Sequence, residues 1–265
     1  MIGLLHPGEM GSAVGARLRE AGHDVAWASE ERGAATKTRA DAAGLTDAGT
    51  VPDLVRSSDV VFSICPPHAA LDVARSVGAV GFAGVYVEAN AVAPDTARRI
   101  AETVTAAGAT AVDGGIVGSP PVEPDTTRLY LSGPSAAEVA GLFAGTVVEA
   151  VAVDDRVGSA SAVKMTYAAW TKGSAALLLG IHAVAEHEGV ADVLRQEWAR
   201  SLPELQARLE RAEGTAVRKG WRWVGEMEEI AESFGAAGAP TGFHEAAAEI
   251  YRRYPRPATP PGSPG

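Results

Sequence analysis

Gly8 and Gly11 stand three residues apart, directly after the short apolar run Ile2–Leu5 and at the head of an Ala-rich stretch, Met10–Ala21. In a strand–turn–helix setting, a glycine at the first position lets the backbone approach a pyrophosphate, whose charge meets the free N–H groups of the helix start. The second lets the helix pack tightly on the strand. His6, Pro7, Glu9 and Met10 complete the turn, with His6 where a third glycine opens the full fingerprint. Two glycines alone serve equally well a tight turn without ligand. The next apolar run ends in Ser29-Glu30-Glu31-Arg32, about 20 residues on. An acid at that point holds the ribose 2′-hydroxyl of NAD, whereas an arginine accommodates the 2′-phosphate of NADP. Both types are present; Ser29 and Arg32 favour NADP as the cofactor, with NAD possible. Lys37 and Arg39 read better as a solvated helix face.

Lys164 lies in Ser-Ala-Val-Lys-Met-Thr-Tyr, inside a stretch, Ser159–His187, that reads as one long, mostly apolar helix. Hydride transfer to a carbonyl leaves negative charge on oxygen, and an ammonium within hydrogen-bond reach stabilises that charge and delivers the proton. In reverse a neutral amine is the base, which calls for burial or a neighbouring cation. A lysine snorkelling from a buried helix to water is the alternative. Helical spacing puts Lys164, Ala168, Thr171 and Lys172 near one face, so Thr171 or Lys172 is a candidate to line the site, with Lys172 reading better as solvated; Tyr167, just before Ala168, is a further candidate substrate contact. Gly114, Gly115 and Ser119 offer backbone amides and a hydroxyl for a substrate hydroxyl or carboxylate. Asn90 fits either a nicotinamide or substrate contact or an Asx turn before Pro94. Trp170, Trp221, Trp223, Phe243 and His244 are candidates for a substrate pocket, although most aromatics there belong to the core, and His244 reads as structural. Cys65 reads as a small buried hydrophobe. The six histidines are scattered and suggest no metal site.

Elements to position these residues are legible in the first half. Strand-like runs, Ile2–Leu5, Asp24–Trp27, Asp59–Ile64, Gly84–Glu88, Thr110–Asp113, Arg128–Leu131 and Thr146–Val151, alternate with helix-like stretches such as Pro94–Ala107 and Ser135–Phe143. Short apolar strands separated by helices predict βαβ units and a parallel sheet. After Asp154 no strand-like run follows; helices are expected at Asp192–Ser201, Pro203–Ala212, Arg222–Phe234 and Phe243–Tyr254. The fold class is therefore α/β: an N-terminal doubly wound Rossmann sheet over 1–154, then an all-helical substrate and dimerisation domain over 155–254. A tail over 255–265, rich in Pro, Gly and Ser, is expected to be disordered.

The chain has 265 residues, 46% of them hydrophobic, and a formal net charge of −10. That length and composition can bury a sizeable core, and the charge repels phosphate backbones, which disfavours nucleic acid as a partner. A single cysteine excludes an internal disulfide. No stretch reads as a signal peptide or membrane span, so a cytoplasmic protein is expected. The long apolar helix asks for cover, and a homodimer is the expected means.

The motifs together resemble the β-hydroxyacid dehydrogenases, the 3-hydroxyisobutyrate and 6-phosphogluconate dehydrogenase group. The Leu5–Gly11 turn is similar to that family's first turn, and Ser63-Ile64-Cys65-Pro66-Pro67 to its loop lying against the cofactor. Glu88–Pro94 resembles its segment beside the nicotinamide, and Asp113-Gly114-Gly115-Ile116-Val117-Gly118-Ser119 its substrate-binding signature. Gly158…Lys164 resembles the motif with the catalytic lysine. The resemblance implies cofactor contacts at Cys65, Pro66 and Asn90, and Lys164 as general acid/base toward a small β-hydroxyacid or its semialdehyde. Arg222–Met227 and Gly242-Phe243-His244 resemble the short C-terminal domain of a phosphogluconate-dehydrogenase-like branch. The family's asparagine one turn after the lysine is here Ala168. Imine reductases share the architecture but generally lack the lysine; a non-catalytic dinucleotide-binding protein is the alternative that His6 and Ala168 favour.

Overall fold

The computed structural model describes residues 1–256; the expected disordered tail falls outside them from residue 257 on. Met1–Lys164 form one compact unit, and a second begins at Met165. The first unit contains β1 (Ile2–Leu4), α1 (Glu9–Glu20), β2 (Val25–Trp27), α2 (Ala34–Ala42), β3 (Thr46–Asp47), α3 (Val51–Arg56) and β4 (Val60–Ser63). It continues through α4 (Ala70–Ala79), β5 (Val85–Glu88), α5 (Pro94–Ala106), β6 (Thr110–Gly118), β7 (Thr127–Ser132), α6 (Ala136–Gly141) and β8 (Val148–Asp154). The first turns of α7 (Ser159–His187) close it.

These strands form one eight-stranded sheet in the order β3-β2-β1-β4-β5-β6-β7-β8. Every neighbouring pair is parallel except β6 with β7. Alternate side chains of each strand enter opposite cores, as the pleat requires. Val25, Trp27, Val87 and Val112 join one core, while Ala26, Tyr86 and Ala111 join the other. A sheet apolar on both faces is covered by helices on both, which is the doubly wound Rossmann arrangement. The chain moves outward from β1 to β3 and returns to β4 on the far side of β1. Strand order therefore reverses between β1 and β4, and ligands of such sheets bind beyond the carboxyl ends of the strands at that point.

β6 runs five residues past its expected end, because Gly114–Gly118 continue as the antiparallel partner of β7. Glycine disfavours a strand on its own account, so the apolar signal stops early. The short β3 and α3 carry too few apolar residues to be read from the sequence. In α3 the Thr50 side chain caps the helix by accepting from Asp53 N at 3.2 Å.

The second unit is helical: the rest of α7, then α8 (Ala191–Ser201), α9 (Glu204–Ala236) and α10 (Gly242–Arg252). Two helices are expected where α9 runs unbroken for 33 residues. Gly214 and Gly220 dilute its helical signal, yet a Cβ at Gly220 would lie 3.0 Å from Tyr254 Cβ, so that glycine serves a close approach. Among the described residues no helix is long and apolar enough to cross a membrane.

Candidate active site

Leu5, His6 and Pro7 lead from β1 to Gly8, the residue before α1. Gly8 N donates to the His6 carbonyl at 2.9 Å, and the Gly8 carbonyl accepts from Ser12 Oγ at 2.6 Å. A Cβ at Gly11 would lie 2.3 Å from the His6 carbonyl oxygen, so only glycine lets α1 cross the turn here. A Cβ at Gly8 would meet nothing within 4 Å. The turn is thus a helix start with an open approach, the cradle that a dinucleotide pyrophosphate fits. A buried His6 Nδ1 beside it has no hydrogen-bond partner. Glu9, exposed, and Met10, half-buried, follow in the first turn of α1.

Arg32 closes on this turn, its Nη2 at 2.9 Å from His6 Nε2. Ser29, half-buried, bonds Asp47 at the end of β3, and that bond with the Gly49 amide holds the Asp47 carboxyl below its usual range. Arg39 corrects an expectation. It is half-buried, not solvated, because its Nε finds the Pro7 carbonyl at 3.2 Å and its Nη2 finds Thr36 Oγ1 at 3.0 Å. Lys37 stays exposed beside Asp41.

Across the switch point, the loop after β4 meets the loop after β5. Asn90 is buried, its Oδ1 accepting from Cys65 N and its Nδ2 donating to Ser63 Oγ at 3.1 Å. Its role here is a bridge between two loops. Pro66 is exposed and Cys65 half-buried; desolvation and then Glu88 push the Cys65 thiol up to about 12.

α7 starts directly over β6. A Cβ at Gly115 would lie 2.6 Å from the Ala160 carbonyl oxygen and 3.0 Å from Lys164 Cβ. A Cβ at Gly114 would lie 3.0 Å from the Glu88 carbonyl oxygen. The two glycines therefore let the strand pass between the β5 end and the helix that carries Lys164, which is half-buried. Ser119 is exposed one residue past β6, its carbonyl taking Thr127 Oγ1 at 2.5 Å.

Four residues carry more of this site than the sequence reading assigned them. Ser63, Glu88, Asp113 and Ser132 are successive register partners across β4, β5, β6 and β7, and all four are buried. Asp113 Oδ2 accepts from Gly158 N at 3.0 Å and Ser161 N at 2.9 Å, so the strand caps the start of α7. The available signal was a polar residue closing each of four apolar runs.

In the second unit, Tyr167 and Thr171 are exposed on α7, and the Thr171 hydroxyl donates to the Tyr167 carbonyl at 3.2 Å. Lys172 is not solvated as expected: it pairs with buried Glu226 and lies 5.5 Å from the Trp223 ring centre. Trp170, Phe243 and His244 do come together, with Phe234 and Leu177, around an open apolar cavity of about 830 Å³. Trp221 is not part of it; Trp223 packs edge-on against Tyr251 instead.

Residues 1–140 match the family model described as the NAD binding domain of 6-phosphogluconate dehydrogenase. The chain belongs to the β-hydroxyacid dehydrogenase family. As a β-hydroxyacid dehydrogenase relative it is a dehydrogenase or reductase that uses a nicotinamide dinucleotide, with a helical C-terminal domain. Residues 185–254 match a domain of unknown function (DUF1932). An uncharacterised 28.5 kDa protein of Methanothermus fervidus is 31% identical over 194 residues, covering 73% of this chain and 74% of that protein. A solved protein of unknown function, described as structurally similar to 3-hydroxyacid dehydrogenases, is 27% identical with TM-score 0.70, covering 96% of both chains. Mycobacterium tuberculosis 3-hydroxyisobutyrate dehydrogenase with L-serine shares the fold, at 19% identity and TM-score 0.69 over 96% of this chain and 92% of that one.

Proposed function

We propose that this protein is an NADP-preferring oxidoreductase acting on a small β-hydroxyacid or the matching semialdehyde, with Lys164 as general acid/base. The observation that carries this reading is the approach of α7 to β6 at Gly115, where Lys164 Cβ would stand 3.0 Å from an added methyl group. The lysine is fixed against the strand that continues into the glycine-rich segment, beside the carboxyl end of β5.

The residues fit a dinucleotide. The Gly8–Met10 turn would hold the pyrophosphate, Ser29 and Arg32 the adenosine end, and Cys65, Pro66 and Asn90 the nicotinamide end. When bound, the nicotinamide supplies or accepts the hydride. Lys164 donates a proton from Nζ to the carbonyl oxygen as negative charge develops there, and in reverse takes the hydroxyl proton. The substrate roles of Gly114, Gly115 and Ser119 rest on the family resemblance, the two glycines lying buried in the β6–β7 pairing where they leave room for α7; that of Thr171 rests on helical spacing from Lys164, and Tyr167 stands beside Ala168. The apolar stripe of α7 supports a homodimer.

Lys164→Ala tests the reading with NADPH and a panel of three- and four-carbon semialdehydes. Turnover should fall by roughly 10²–10⁴-fold, while NADPH binding, followed by nicotinamide fluorescence, stays within twofold. Unchanged turnover removes Lys164 from the mechanism.

A further inference from the structure

We propose that His6 is a specificity-determining residue for the cofactor: its ring holds the Arg32 guanidinium against the first turn, so that the turn selects a 2′-phosphorylated adenosine. The inference rests on the NADP reading above and assigns its cause to the residue that replaces a glycine.

A guanidinium has only donors. The 2.9 Å contact between Arg32 Nη2 and His6 Nε2 therefore requires Nε2 to accept. The ring must then be neutral, with its proton on Nδ1. Burial, and then the charge of Arg32, lower the His6 pKa to about 4, which keeps the ring in that form at neutral pH.

The same tautomer makes Nδ1 a donor, and that atom is buried without a partner. The ring thus meets the Arg32 cation through its Nε2 lone pair.

The backbone before Arg32 serves the same arrangement. Glu31 has φ 58°, in the left-handed region that a residue with a side chain seldom adopts. Arg32 N returns to the Ser29 carbonyl at 3.1 Å, which turns the chain back after β2. Arg39, on Pro7, adds a second cation to the same turn. In a chain of net charge −10, Arg32 and Arg39 thus stand together at the residue that departs from the glycine pattern.

Arg32 is otherwise exposed, and a free arginine must be immobilised when it grips a phosphate. Holding it beforehand saves that ordering, which corresponds to a roughly 3–10-fold change in affinity. The saving applies only to a ligand that carries the 2′-phosphate.

The test titrates the full chain with NADPH, NADH, 2′,5′-ADP and 5′-ADP. Arg32→Ala should weaken NADPH and 2′,5′-ADP and spare the other two. His6→Ala should weaken the same pair by roughly 3–10-fold and add nothing in an Arg32→Ala background. His6→Gln, whose amide oxygen still accepts from a guanidinium, should keep most of the preference and guards against a misfolded alanine variant. Equal weakening of all four ligands, or an NADPH-over-NADH preference that His6→Ala leaves unchanged, overturns this inference alone. A wild-type protein that binds NADPH no tighter than NADH defeats the NADP reading itself.

Discussion

Glu88 and Asp113 are register partners on the parallel strands β5 and β6, and both carboxyl groups are buried at the same end of the sheet. Their partners differ. Asp113 accepts from Gly158 N, Ser161 N, Ser161 Oγ and Ser132 Oγ, and the start of α7 adds its dipole. Glu88 accepts from Asn90 N at 3.1 Å, while its Oε2 has no hydrogen-bond partner. Two adjacent buried carboxyls do not both ionise cheaply. Burial raises the Asp113 pKa, and its four donors offset part of that; Glu88, with fewer donors, keeps its proton, as burial above all, and then Asp113, push its pKa up to about 8.

A pH dependence of stability follows. The folded state holds the Glu88 proton up to about pH 8, whereas an unfolded glutamate loses it near its ordinary value of 4.5. Between those values the folded state binds more protons, so stability must fall as pH rises through that window. Each pH unit is worth about 1.4 kcal/mol at most. His6, held neutral in the fold, adds a slope of opposite sign below about pH 6.5, so the test is the difference between two proteins: in urea melts from pH 5 to 8 the midpoint of the wild type relative to Glu88→Gln should fall as pH rises. A difference that stays flat or rises over that range would refute the protonated Glu88.

Asp113 gives a second prediction, because it caps α7 from outside the helix. Asp113→Ala leaves the amides of Gly158 and Ser161 without their acceptor and should cost about 3 kcal/mol in urea melts. Ser161→Ala removes only the hydroxyl bond at 2.5 Å and should cost about 1 kcal/mol. Equal costs would show that the carboxylate is not what fixes the helix start.

The two halves of the site were unequally legible in the sequence. The glycine turn, the strand alternation and the 29-residue α7 are local patterns, and local patterns survive in a linear reading. Asp113 with Ser161 is not local: 48 residues separate them, and only the order of strands in the sheet brings them together. Arg39 and Lys172 escaped for a related reason. Each sits on a helix face that periodicity marks as polar, and each finds a buried acceptor that no spacing rule announces. Glu88 was visible as a motif residue, but its protonation depends on a neighbour one strand away.

Gly8 and Gly115 should separate binding from positioning. A methyl group at Gly8 meets nothing in the protein, so Gly8→Ala should leave the melting temperature within about 1 °C and weaken NADPH. Gly115→Ala drives a methyl group against the Ala160 carbonyl at 2.6 Å and Lys164 Cβ at 3.0 Å. The backbone of α7 must yield, which should cost about 1–3 kcal/mol. Displacing the lysine by about 1 Å should lower turnover roughly 10²-fold, with NADPH affinity kept. Loss of NADPH binding in Gly115→Ala and its retention in Gly8→Ala would reverse these assignments.

The stripe on α7 leads to the last prediction. Trp170, Leu177, Ile181 and Val184 are exposed on the second unit, with Trp170 at 65% and Phe243 on α10 at 81%. The helical positions recur at intervals of seven, four and three residues, which places them along one face. A contiguous apolar stripe of this length is the kind that marks an interaction surface. A second copy supplies the same stripe, and a twofold pairing can bury both together. Light scattering at micromolar concentration should therefore give twice the monomer mass. Trp170→Glu with Leu177→Glu should return a folded monomer, its helix content unchanged by circular dichroism. A wild-type protein that runs as a monomer at that concentration would leave this stripe without the partner assigned to it.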